Sequence, residues 1–88
     1  MRKKFTATLK KKRYLFIEEE PGPDEYAVVD YNRRRVSIAP FVNSKDVEFR
    51  TEILLHEALH VLAPEWAEAR VLAAGKDLAR LLATAREI

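Results

Sequence analysis

The chain has 88 residues, no cysteine, and 16 Lys and Arg against 14 Asp and Glu, a formal net charge of +2. This length argues for one domain over residues 1–88, of a size that buries only about 60 to 65% of its unfolded surface. The absence of cysteine excludes disulfides and thiolate metal sites, and so small a net charge does not by itself indicate nucleic acid.

The chain begins Met1-Arg2-Lys3-Lys4, but Thr6, Thr8 and the run Lys10 to Arg13 interrupt any apolar stretch after it. Neither a secretory signal nor a membrane span is expected, which leads to the expectation of a cytoplasmic domain. Phe5, Ala7 and Leu9 alternate and allow a short N-terminal strand. Tyr14 to Glu19 and Tyr26 to Tyr31 are rich in aromatic and β-branched residues and read as strands. Between them, Glu20-Pro21-Gly22-Pro23-Asp24 is a turn signal, since proline fixes φ and glycine tolerates positive φ. A hairpin joining these two segments is therefore expected, with Glu18-Glu19-Glu20 as a solvated strand end. Asn32-Arg33 suits a tight turn before a third strand, Arg35 to Ala39, which would turn Val36 and Ile38 inward.

Pro40 closes the strand region. Asn43 and Ser44 offer N-cap oxygens, and Asp46 and Glu48 follow where acids suit a helix dipole, predicting a helix from about Lys45 to Leu62. Ile53, Leu54, Leu55, Ala58, Leu59, Val61 and Leu62 cover nearly every direction around it, the pattern of a buried helix. Ala63-Pro64 breaks this helix, and Pro64 can open a second one reaching about Arg86. Its apolar stripe is expected through Ala67, Val71, Ala74, Leu78, Leu81 and Ala85, with Leu82 beside it. Gly75, near that stripe, would let another element approach closely. Trp66 is expected to pack over the junction.

Within the first helix, His56-Glu57-Ala58-Leu59-His60 matches H-E-x-x-H and contains both histidines of the chain. Residues four apart share a helix face, so both imidazoles can reach one metal ion. Glu57 is displaced by about 100° around the axis. It flanks the metal and is placed to take a proton from a water molecule there, the arrangement zinc hydrolases use. Ionisable groups in an apolar stretch are costly unless paired or ligated, which favours ligation over a packed histidine pair.

A catalytic zinc takes three protein ligands and keeps one position open. With no further histidine and no cysteine, the third ligand must be a carboxylate, and Glu65, Glu68 and Asp77 follow the motif. Glu65 points away from the stripe of the second helix. Asp77 is about two and a half turns beyond Glu68, too far along if the helices are antiparallel. Glu68, on the shoulder of the stripe and able to meet the neighbouring helix near His60, is the residue chosen.

The segment Thr51 to about Leu82 resembles small zincin-like proteins found in phage and prophage genomes, and the minimal core of gluzincin-type and ImmA/IrrE-like metallopeptidases. That resemblance implies an α+β fold: a three- or four-stranded sheet, an active-site helix and a long C-terminal helix. By position it implies His56, His60 and Glu68 as zinc ligands and Glu57 as general base. The spacing from His60 to Glu68 is shorter than in large gluzincins, and the cleft-building subdomains of full-length peptidases are missing. Tyr26, Tyr31 and Arg33 to Arg35 are candidate oxyanion donors, with no choice among them.

The activity expected is peptide-bond hydrolysis by a minimal zinc metallopeptidase, with a peptide or protein as substrate. The alternative is a non-catalytic, zinc-stabilised interaction module. Nucleic-acid binding is the least favoured reading. It would require the runs Lys10 to Arg13 and Arg33 to Arg35 to meet at one end of the sheet.

Overall fold

The computed structural model describes residues 3–86, so Met1 and Arg2 of the basic start lie outside the described residues. The fold is α+β: a four-stranded mixed sheet followed by helices. Strands β1 (Lys4–Leu9) and β2 (Lys12–Glu18) form an antiparallel hairpin. Its two-residue turn, Lys10-Lys11, has φ of 53° and 66°. These are the left-handed values of a type I′ turn, a position that usually goes to Asn-Gly. Strands β3 (Ala27–Asp30) and β4 (Arg35–Ile38) form a second hairpin. Its turn holds Arg34 at φ 53°, and Asp30 Oδ1 accepts from the Arg33 amide at 3.1 Å.

The expected hairpin between the Tyr14–Glu19 and Tyr26–Tyr31 segments does not form. The sheet order is β1-β2-β4-β3, with β4 inserted parallel to β2. Parallel neighbours need a connection of roughly a dozen residues or more, and the stretch 19–34, including β3, supplies it. Insertion gives Val36 and Ile38 of β4 a central position, where both are buried against Tyr14, Phe16, Ala39, Val42 and Val61. The Glu18–Glu20 run also departs from expectation. Glu18 accepts from Asn43 Nδ2 at 2.6 Å, and Glu19 holds Arg35 in a two-pronged pair at 2.9 Å while accepting from Ser37 Oγ. Only Glu20 is left exposed.

Pro40 follows the last described strand, as expected, and opens a single-turn helix, α1 (Pro40–Asn43). Helix α2 (Val47–Leu62) is capped not by Asn43 or Ser44 but by Asp46, whose carboxylate accepts from the Phe49 amide at 2.8 Å. The helix is not buried all round. Only Glu57 and Val61 are buried, and Ile53 to Leu55, Ala58 and Leu59 are half-buried. Among the described residues, the sheet and α3 cover two sides of α2 and leave its flanks partly open.

Helix α3 (Glu68–Ala85) begins later than the sequence suggests. Pro64 lies in a turn closed by the Trp66 amide on the Ala63 carbonyl, and Ala67, extended at φ −67° and ψ 155°, is the N-cap. Folding α3 back on α2 uses those residues as a connector. Trp66 is half-buried, with the Arg70 guanidinium 4.9 Å above its ring. The buried seam is Val71, Gly75 and Ala79, whereas Leu78, Leu81 and Leu82 of the expected stripe are exposed. Small residues four apart bring the two backbones together, and the leucines flank that contact or extend past it.

A Cβ on Gly75 would be 3.7 Å from the Glu52 carbonyl oxygen and the His56 nitrogen, an ordinary contact. Alanine favours helix over glycine by about 0.8–1.0 kcal/mol. Gly75→Ala is therefore expected to raise the thermal midpoint by about 4–8 °C, whereas Gly75→Leu should lower it by forcing α3 off α2. A lower midpoint for the alanine variant, by calorimetry, would show that the seam has no room for a methyl group.

Helix α2 follows edge strand β3 in the same direction. Near its start the Tyr26 and Phe49 rings meet edge to face at 5.8 Å, and near its end the Tyr31 hydroxyl lies 3.4 Å from the His60 carbonyl. The second half of α2 thus reaches the sheet end that carries both hairpin turns.

Candidate metal centre

His56 and His60 project from one face of α2, their rings 4.8 Å apart between centroids and their Nε2 atoms 3.2 Å apart. Glu68 is the first residue of α3, and the turn 63–67 delivers it to the same face. One carboxylate oxygen is 2.6 Å from His56 Nε2 and the other 3.0 Å from His60 Nε2. Among the described residues this trio is the one group of three or more His, Cys, Asp or Glu with metal-binding spacing, its ligand atoms lying within 4.8 Å of one another. Glu65 is exposed and outside the group, and Asp77 lies 3.9 Å from Arg80 further along α3.

The spacing suits a metal ion. Bonds of about 2.0–2.1 Å in a tetrahedron put neighbouring donors about 3.3 Å apart. The two imidazole nitrogens are already close to that separation, and the carboxylate oxygens, at 2.6 and 3.0 Å from them, need withdraw by about 0.3 to 0.7 Å. Each Nε2 has its own oxygen of Glu68, so without a metal two N–H groups can donate to the one carboxylate. With both nitrogens unprotonated, the same three side chains offer a zinc donor set of two imidazoles and a carboxylate. The Glu68 side chain is 67% exposed, so the group opens to solvent on that side, as a centre with a free coordination position requires.

Glu57 lies next to the trio and is the buried charged residue of the described chain, 8% exposed. Burial pushes its carboxyl above the ordinary carboxylate range; His56 and His60 pull it back, and Glu68 and Glu25 add to the rise. No described side chain donates to it, yet among the described residues no fully buried side-chain polar atom lacks a partner. Its carboxylate therefore keeps a narrow contact with water. That combination, a desolvated carboxylate with one wet side, is suited to moving protons.

Of the candidate oxyanion donors, Tyr31 has its hydroxyl 3.4 Å from the His60 carbonyl and feels the charge of Glu57. Burial, then the charge of Glu57, then Tyr14 raise its hydroxyl above the ordinary tyrosine value. Tyr26 packs against Phe41 and Phe49, and Arg35 is held by Glu19. A cleft of about 230 Å³ lies elsewhere, lined by Phe5, Phe16, Ile38, Leu54 and Arg50 among others, and contains none of the four motif and ligand candidates. No described helix is long and apolar enough to cross a membrane. Comparisons with protein-family models, with curated proteins and with solved structures found no match.

Proposed function

We propose that this chain is a minimal zinc-dependent metallopeptidase, acting on a peptide or protein in the cytoplasm and akin to phage and prophage zincin-like proteins. The observation that carries the reading is the meeting of His56, His60 and Glu68 at metal-ligand spacing with Glu57 buried beside them. Zinc bound there would polarise a carbonyl and make water acidic near neutral pH. His56, His60 and Glu68 would hold it. Glu57 takes a proton from the attacking water and returns it to the leaving nitrogen. Tyr31 is the donor we assign to the developing oxyanion, where a fixed hydrogen bond contributes most. The outer edge of β3, which α2 follows, offers backbone groups to an extended peptide.

A second reading has an observation of its own. The ligand candidates come from α2 and from the first residue of α3, so zinc would clamp the helix pair whether or not anything is cleaved. The deciding experiment is metal content by mass spectrometry on protein purified without a histidine tag, followed by incubation with a mixed-sequence fluorogenic peptide library. One zinc per chain with cleavage abolished by chelation is the expected result. Zinc without cleavage selects the clamp, and no zinc uptake overturns both readings.

A further inference from the structure

We infer that the end of the sheet carrying the two hairpin turns is a binding surface for single-stranded nucleic acid. Strands β2 and β4 are parallel neighbours, with Leu15 opposite Arg35 and the Leu15 amide 2.9 Å from the Arg34 carbonyl. That register sets the Lys10–Arg13 run beside Arg33 and Arg34, two segments some twenty residues apart in sequence. All six of these cations are exposed. Among the described residues no carboxylate comes within ion-pair distance of Lys10, Lys11, Lys12, Arg13 or Arg34, and Arg33 has only Asp30 at 3.9 Å.

The balanced net charge conceals a division. Glu18, Glu19, Glu20 and Asp24 lie at or beyond the far end of β2, away from the turns, while Glu25 is close enough to Glu57 to raise its carboxyl. On the helical layer at the basic end, Glu57 and Glu68 are gathered around the histidines, and Glu65 sits on the connector between helices.

The backbone gives an independent reason to read this charge as selected. Lys10, Lys11 and Arg34 all occupy the left-handed region, which glycine and asparagine enter easily and other side chains resist. Basic residues stand where the fold alone would favour Asn and Gly. The row of turns spans about 14 Å across four strand ends, a length over which a nucleic-acid strand presents several phosphates. Guanidinium groups match phosphate with two parallel hydrogen bonds. Tyr31, half-exposed in the same turn, offers a ring on which a base can stack. A ring beside a row of cations suits a base next to its phosphate, so nucleic acid is the partner argued for, and an acidic protein is an outcome of the test. This inference does not depend on the metallopeptidase reading.

The test is fluorescence anisotropy of the full chain with a labelled 20-nucleotide oligo(dT), repeated across salt concentrations. With about four phosphate contacts, log K should fall against log salt with a slope of about −3. Lys10→Asn with Lys11→Gly removes two charges while supplying the preferred turn residues. It should weaken binding about 25-fold at 0.1 M salt and flatten the slope by about 1.4, and its thermal midpoint should rise. Arg34→Gly should act in the same two directions. No binding at low salt, or binding that these variants leave intact, would overturn the inference. So would equal competition by poly-glutamate, which would mark the surface as one for acidic protein. A lower midpoint in the turn variant would remove the conformational half of the argument.

Discussion

Glu57→Gln is expected to keep zinc at wild-type stoichiometry and to lose peptide hydrolysis by about 10²- to 10⁴-fold, the usual contribution of a positioned general base. Glutamine fills the same space but cannot accept the proton of the attacking water. Glu57 touches none of the ligand atoms directly in the trio His56, His60 and Glu68, so metal binding should survive. The measurement is zinc content together with turnover of whichever library peptide the wild-type protein cleaves. Retained turnover would remove Glu57 from the mechanism.

The same variant has a signature in stability. The carboxyl of Glu57 is raised in the folded chain, so the folded state binds its proton more tightly than the unfolded state does. Its favourable contribution is fully present below the unfolded value near 4.5 and is lost as pH rises through the higher folded value. Metal-free Glu57→Gln should therefore be more stable than metal-free wild type at neutral pH. The gap should close as the pH falls below that unfolded value. A variant that is equally stable at all pH values would mean that Glu57 is better solvated than its burial implies.

Glu68→Ala is expected to lower zinc affinity by at least about 100-fold, since even outer-shell partners of a metal site are worth 10–100-fold. Zinc at a hundred times its Kd stabilises the wild-type chain by about 2.7 kcal/mol, or about 10–20 °C in thermal midpoint. At the same zinc concentration a 100-fold weaker variant gains only about 0.4 kcal/mol. Competition against a chromophoric chelator gives the affinity, and calorimetry with and without zinc gives the shift. Unchanged affinity would show that the 2.6 Å and 3.0 Å contacts to the histidines are an ion pair and not part of a metal site.

The strands and helices were legible because alternation and helical periodicity are local. Val36 and Ile38 turn inward as their spacing implies, and Gly75 admits a neighbouring helix as a missing side chain suggests. The pairing of strands was not legible. Glu20–Asp24 reads as a hairpin turn, yet the segments it joins are separated by β4, because that strand's apolar residues gain more at the centre of the sheet than at its edge. The stripe expected on α3 holds at Val71, with Gly75 beside it, and departs at Leu78 and Leu81, which are exposed because the close approach of α2 selects Val71, Gly75 and Ala79.

What the sequence determined by itself is the pairing of His56 with His60 and the flanking position of Glu57, because all three lie on one helix whose geometry is fixed by hydrogen bonds between near neighbours. Glu68 was singled out from its place on the second helix, and the tertiary structure brings it to the histidines through the turn 63–67. The tertiary structure alone sets the Tyr31 hydroxyl beside the His60 carbonyl and joins two basic runs at one end of the sheet. Each of these depends on which distant segments pack together. That choice is made by burial of the whole chain, to which no local stretch of residues holds the key.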